Sequence, residues 1–222
     1  MTDQTTYPKQ NPARPNQNQQ IATRIFAARK IILAARADPE ICGLLAAHGY
    51  DARELAVGMD LHKAARTAFT ASQWALGGQR RAEAAFEAAR MAACQVFADF
   101  LAVSRYLFKD GQARSILGLD EGIPAEPAEF IPAARLRYQA AKRNASYHNT
   151  LTQYGSLENA FASLDELAAA EMLKEAACTA AGRAIQQRDE VFIRLDRWTR
   201  DFCATLKAAL RDRPDLLHKL GL

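Results

Sequence analysis

The chain has 222 residues, 46 of them alanine, so its 49% hydrophobic fraction falls to under a third once alanine is set aside. The best helix former dominates and strand formers are scarce, which excludes a β-rich class and predicts an all-α protein. A formal charge of +4, from 29 basic and 25 acidic residues that interleave along the chain, gives no massed basic face and speaks against nucleic acid as a partner.

In chain order, residues 1–20 carry five glutamines, three asparagines and three prolines and almost no large apolar side chains, so they read as a disordered tail. No secretory leader is legible there, and a cytoplasmic setting is expected. From Ile21 the pattern turns helical, with Ile21, Ile25, Ile32 and Ala35 on one face. Asp38-Pro39 stops this helix and starts a short one, which ends near His48-Gly49. Asp51 is the expected N-cap of the next, with Glu54 completing a capping-box-like pair.

Asp51 to Asp110 reads as helical throughout, with Gly77-Gly78 as the sole internal break signal. Its second part carries a coiled-coil-like seam of Phe86, Ala93, Phe100 and Leu107 with Ala82, Ala89, Val96 and Val103. Met91 to Phe108, the most apolar stretch, is interrupted by Asp99 and Arg105, so no membrane span is expected. Gly111 to Pro132 reads as a connector. The order of events then recurs: a helix from about Phe130, a short one ending at Tyr154-Gly155, and a long helical stretch from Ser156 to Asp212.

Aligning the halves makes this recurrence specific. At a shift of 106, Ile25, Ala27-Ala28-Arg29, Leu45 and Gly49 meet Ile131, Ala133-Ala134-Arg135, Leu151 and Gly155. The shift becomes 105 for Asp60 and Asp165, then 102 for Arg81-Ala82 and Arg183-Ala184 and for Asp99-Phe100 and Asp201-Phe202, and finally 103 for Leu117-Gly118-Leu119 and Leu220-Gly221-Leu222. Register changes only at glycine breaks, as insertions do when helices must keep a buried face. The expected organisation is therefore a tail (1–20), a first helical repeat (21–119), a linker (120–127) and a second repeat (128–222), packed as an elongated helical bundle in one fused body. The three-residue change at Gly77-Gly78 favours a hairpin tip within each long stretch. A single helix of 55 or more residues is the alternative, because Thr179 to Ile185 contains no Pro, Asn, Asp or Ser to make a turn or cap the next helix.

The closing run Leu210-Arg211-Asp212-Arg213-Pro214-Asp215-Leu216-Leu217-His218-Lys219-Leu220-Gly221-Leu222, after Arg188-Asp189 and Trp198-x-x-Asp201-Phe202, resembles an uncharacterised bacterial family of duplicated helical repeats ending in Leu-Leu-x-x-Leu-Gly-Leu/Ile. The first half departs from that motif, with Lys109-Asp110-Gly111-Gln112 where the family has Asp-x-Pro. The resemblance implies a bacterial cytoplasmic origin and supplies no site residues.

No constellation for chemistry emerges, so no catalytic, cofactor-binding or metal-binding residue and no cofactor is assigned. None of His48, His62, His148 and His218 follows a Glu by three residues, as a di-iron bundle needs, and Asp215-x-x-His218 is the nearest approach to a ligand pair. His62 reads as an interface histidine. Asp60 with Asp165, and Asp99 with Asp201, recur between the halves and read as surface ion-pairing acids, as do Asp196-Arg200 and Arg197-Asp201. Cys42, Cys94, Cys178 and Cys203 form no C-x-x-C pair and read as thiols in apolar slots between helices. Trp198 falls in the seam as core; Trp74, near the proposed tip, reads as an exposed anchor for a partner. The leading expectation is a non-enzymatic protein-interaction or scaffold protein that self-associates or binds another protein. The second is a small-molecule or cofactor binder with a pocket between the repeats.

Overall fold

A computed structural model describes residues 17–124 and 126–220. The expected tail lies outside the described residues up to Asn16, as does the closing Gly221-Leu222. The described chain is an all-α helical bundle. In order, α1 is Gln17–Ala37, α2 Pro39–Ala46, α3 Ala52–Leu107, α4 Gly111–Ile116, α5 Pro127–Arg143, α6 Ala145–Leu151, α7 Leu157–Ala209 and α8 Pro214–Leu220.

Local chemistry sets these boundaries. The Asp38 carboxylate accepts from the backbone N–H groups of Glu40 and Ile41 at the start of α2, where Pro39 has no N–H to lose. Asn144 does the same for Ser146 and Tyr147 at the start of α6. Asp51 accepts from Glu54 N at 2.9 Å, and Ser156 from Asn159 N at 3.3 Å, at the starts of α3 and α7. Gly49 follows α2 with φ +85°, a conformation that other residues reach only under strain. The expected connector contains α4, which Asp110 caps through Ala113 N, and the first turns of α5, with Pro127 at its start and Pro132 inside it.

The hairpin expectation is corrected. α3 is one helix of 56 residues through Gly77-Gly78, and α7 one helix of 53 through Gly182. Two glycines cost about 1 kcal/mol each relative to alanine, which a long helix absorbs when nothing nearby offers an alternative turn.

The described chain clusters into two compact units that cut across the sequence halves. Among the described residues, unit 1 takes 17–73 and 183–220, hence α1, α2, the front of α3, the rear of α7, and α8; unit 2 takes 74–124 and 126–182, hence the rear of α3, α4, α5, α6 and the front of α7. Each unit therefore joins the front of one half to the rear of the other. The three-residue change of register lies beside the points where α3 and α7 pass from one unit to the next. Either side of those points, the helix need present its apolar face only to its own unit.

Unit 1 closes on Ile32, Ile41, Leu45, Leu55, Phe202 and Leu206, with a second cluster of Ile21, Ile25, Ala65, Ala68, Val191 and Leu195. Unit 2 closes on Phe97, Phe100, Leu117, Phe130, Tyr138 and Leu164. Corresponding positions are buried in both: Ala28 and Ala134, Ile32 and Tyr138, Ala35 and Ala141, Leu45 and Leu151, Phe100 and Phe202. Buried Ile31 corresponds to buried Arg137, whose guanidinium lies over the Phe97 ring and pairs with Glu121 at 2.9 Å.

Candidate functional site

Two places in the molecule hold more than packing. In unit 1, the Trp198 indole lies across the Gly58 backbone, stacks on Phe202 at 4.9 Å, meets the Tyr50 ring edge-on at 5.8 Å, and donates Nε1–H to Glu54 Oε1 at 2.8 Å. A Cβ on residue 58 would come within 2.3 Å of the indole, so glycine is required for the ring to lie there. In unit 2 the position of Trp198 is taken by Val96, that of Glu54 by Asn159, that of Gly58 by Ser163 and that of Asp201 by Asp99. An open recess of about 250 Å³ remains, lined from the rear of α3 by Val96, Asp99, Phe100 and Val103, and from the α6–α7 turn and α7 by residues that include Tyr154 and Asn159.

The residues singled out in the sequence are mostly placed apart. Asp60 is exposed and paired with Lys63 at 3.1 Å, one turn along α3. Asp165 pairs across helices with Arg135 at 2.5 Å. Asp99 accepts from Gln95 and borders the recess, whereas Asp201 accepts Thr205's hydroxyl through its main-chain oxygen. Asp196 is ion-paired to Arg24 and, at 3.3 Å, to Arg200. Asp215 belongs to a corner clamp, in which Arg213 bonds both Asp215 and Glu40, and Lys219 reaches Asp38 at 3.4 Å. No group of three or more His, Cys, Asp or Glu side chains arranged for a metal occurs among the described residues.

Two of the four cysteines leave their expected slots. Cys94 and Cys178 are exposed, because both lie off the buried face of their helices; Cys42 and Cys203 are half-buried, and burial pushes the Cys203 thiol up. Trp74 is 72% exposed.

His62 is buried to 4% of its surface with no hydrogen-bond partner for Nδ1, beside a recess lined by Phe26, Arg29, Arg66 and Phe69. Burial, reinforced by Arg29, Arg66 and Lys63, holds its pKa below the ordinary 6.5. The unfolded state therefore binds the proton more readily. The stability contributed by the neutral ring is complete above about pH 6.5 and declines as pH falls from there toward the depressed folded value. Replacing His62 by leucine, the residue at the corresponding Leu167, is expected to flatten that slope, which urea midpoints measured above pH 6.5 and at successively lower pH check.

Comparison with protein-family models, with curated proteins and with solved structures found no match. The geometry alone carries the functional reading. No helix among the described residues is long and apolar enough to cross a membrane.

The recess is a feature that sequence reasoning missed. Its signal was the one-residue change of register after Gly49. The caps place Asp51 opposite Ser156 and Gly49 opposite Gly155, so Tyr50 has no counterpart in unit 2.

Proposed function

We propose that the chain is a helical interaction protein built from two copies of one unit, and that it works by associating with a second copy of itself. The observation that carries this is a solvent-facing apolar stripe on the front of α7, Ala169, Met172, Leu173, Ala176 and Ala180, with Met172 71% and Leu173 66% exposed. Its spacing of i, i+3, i+4, i+7 and i+11 is that of a face that packs on another helix, and it is not the stripe that faces unit 2's own core at Leu164 and Leu167.

The rear of α3 carries a partner face of the same character. Ala84, Ala85, Ala88, Met91 and Ala92 are all exposed, on the side of the helix away from Phe86 and Ala93. Alanine-rich faces allow helices to approach closely, so a second copy offers each stripe a surface of matching relief. The equivalent caps of α2 and α6, and of α3 and α7, support the reading of the two halves as copies. Resemblance of the closing run to a bacterial repeat family supports a bacterial cytoplasmic setting.

Sedimentation equilibrium tests this reading. The wild-type chain is expected to sediment as a dimer, and Leu173→Glu with Ala176→Glu as a folded monomer, because both side chains already face solvent and placing carboxylates on the stripe costs the interface but not the fold. A wild-type monomer at all concentrations, or a double variant that still dimerises, would contradict it.

A further inference from the structure

We propose that the recess in unit 2 is a binding site for a small planar aromatic molecule bearing an N–H donor, neutral or cationic and indole-like in size. In unit 1 this neighbourhood is filled by two rings: the Trp198 indole, which stacks on Phe202 and donates Nε1–H to Glu54, and Tyr50, which meets Trp198 at 5.8 Å and Phe202 at 5.1 Å. Unit 2 retains the platform: Phe100 corresponds to Phe202, and both are buried. It lacks both fillers, because Val96 replaces the indole and the residue corresponding to Tyr50 is absent. Tyr138 in place of Ile32 fills part of the lost volume against Phe100, at 4.9 Å, and about 250 Å³ stays open on the side lined by Val96, Val103 and Asn159.

The polar lining fixes the ligand's chemistry. Asn159 stands where Glu54 accepts the indole N–H, and its amide oxygen is an acceptor of the same kind. Asp99 adds a carboxylate at the edge, and no basic side chain is among the lining residues. The recess thus favours a donor and a positive charge and disfavours an anion. Tyr154, more than half exposed beside the opening, supplies a second aromatic wall.

Ligand-observed NMR and calorimetry on the full chain test this with indole, tryptamine and indole-3-acetate as probes. Indole is expected to bind, and tryptamine to bind about tenfold more tightly than indole-3-acetate, since Asp99 attracts the ammonium and repels the carboxylate. The double variant Val96→Trp with Ser163→Gly rebuilds the unit 1 arrangement, and is expected to abolish indole binding while raising the melting temperature. Should that variant fail to fold, Asn159→Glu decides on the exposed first turn of α7: it reproduces the Glu54 carboxylate and is expected to tighten tryptamine binding. Absence of indole and tryptamine binding, undiminished binding in the filled variant, unchanged affinity in Asn159→Glu, tightest binding of indole-3-acetate, or binding of a tryptophan-bearing peptide without binding of indole would each overturn the proposal.

Discussion

Replacing Trp198 by alanine is expected to destabilise unit 1 by about 3–5 kcal/mol, the range for removing a large buried aromatic, read as a fall in the urea midpoint. The loss has three parts. The indole buries apolar area at the junction of α2, α3 and α7; its stack on Phe202 at 4.9 Å and edge contact with Tyr50 at 5.8 Å are each worth about 0.5–1.5 kcal/mol beyond area; and Glu54 loses its donor. Collapse cannot recover much of this, since the floor beneath the ring is the Gly58 backbone, which has no side chain to move. The same geometry makes Gly58→Ala costly. Its Cβ would meet the indole at 2.3 Å, so the ring would have to shift against its packing on Phe202 and Tyr50, and a loss of about 1–3 kcal/mol is expected.

In unit 2 the largest effect is expected at Tyr138, whose ring is completely buried and meets Phe100 at 4.9 Å, Phe161 at 5.6 Å and Phe97 at 5.8 Å. Tyr138→Ala is expected to cost about 3–5 kcal/mol in a urea titration. Tyr138→Phe separates ring from hydroxyl. That hydroxyl is buried with no hydrogen-bond partner, and burial raises its pKa far above the ordinary value, so removing it leaves nothing unsatisfied. The phenylalanine variant is expected to be at least as stable as the wild type. A phenylalanine variant that loses as much as the alanine variant would mean that the hydroxyl, not the aromatic cluster, holds this core.

The elements with the strongest local chemistry were legible in the sequence. Asp38-Pro39, Gly49 and the Asp51 cap each act through a side chain or a φ angle that needs no distant partner, and each lies where its pattern puts it. The seam positions Phe86, Ala93 and Phe100 were legible as buried for a similar reason, since periodicity reports which face is covered. It does not report what covers the face. Ala93 and Leu195 occupy corresponding positions in the two halves, yet they pack in different units, each beside the front helices of the other half. That exchange became visible only in the structure, as did the continuity of α3 through Gly77-Gly78.

The recess was less legible still, because residues that are missing create it. Val96 reads as an ordinary seam valine. Only its comparison with Trp198, together with the residue dropped opposite Tyr50, marks the place where unit 2 is short of side chain. Asp60 and Asp165 illustrate the reverse case: their recurrence read as surface ion pairing, and the structure gives each an ion-pair partner of its own.

Each unit joins the front of one sequence half to the rear of the other. Native-state hydrogen exchange, compared between the wild type and Trp198→Ala, tests it most directly, because Trp198 lies in the second half while its unit is completed by the first. Faster exchange is expected in α1, α2, the front of α3, and the rear of α7 with α8, with protection in the α5 and α6 segments unchanged. Faster exchange confined to residues 128–222, with α1 and α2 unaffected, would contradict the account.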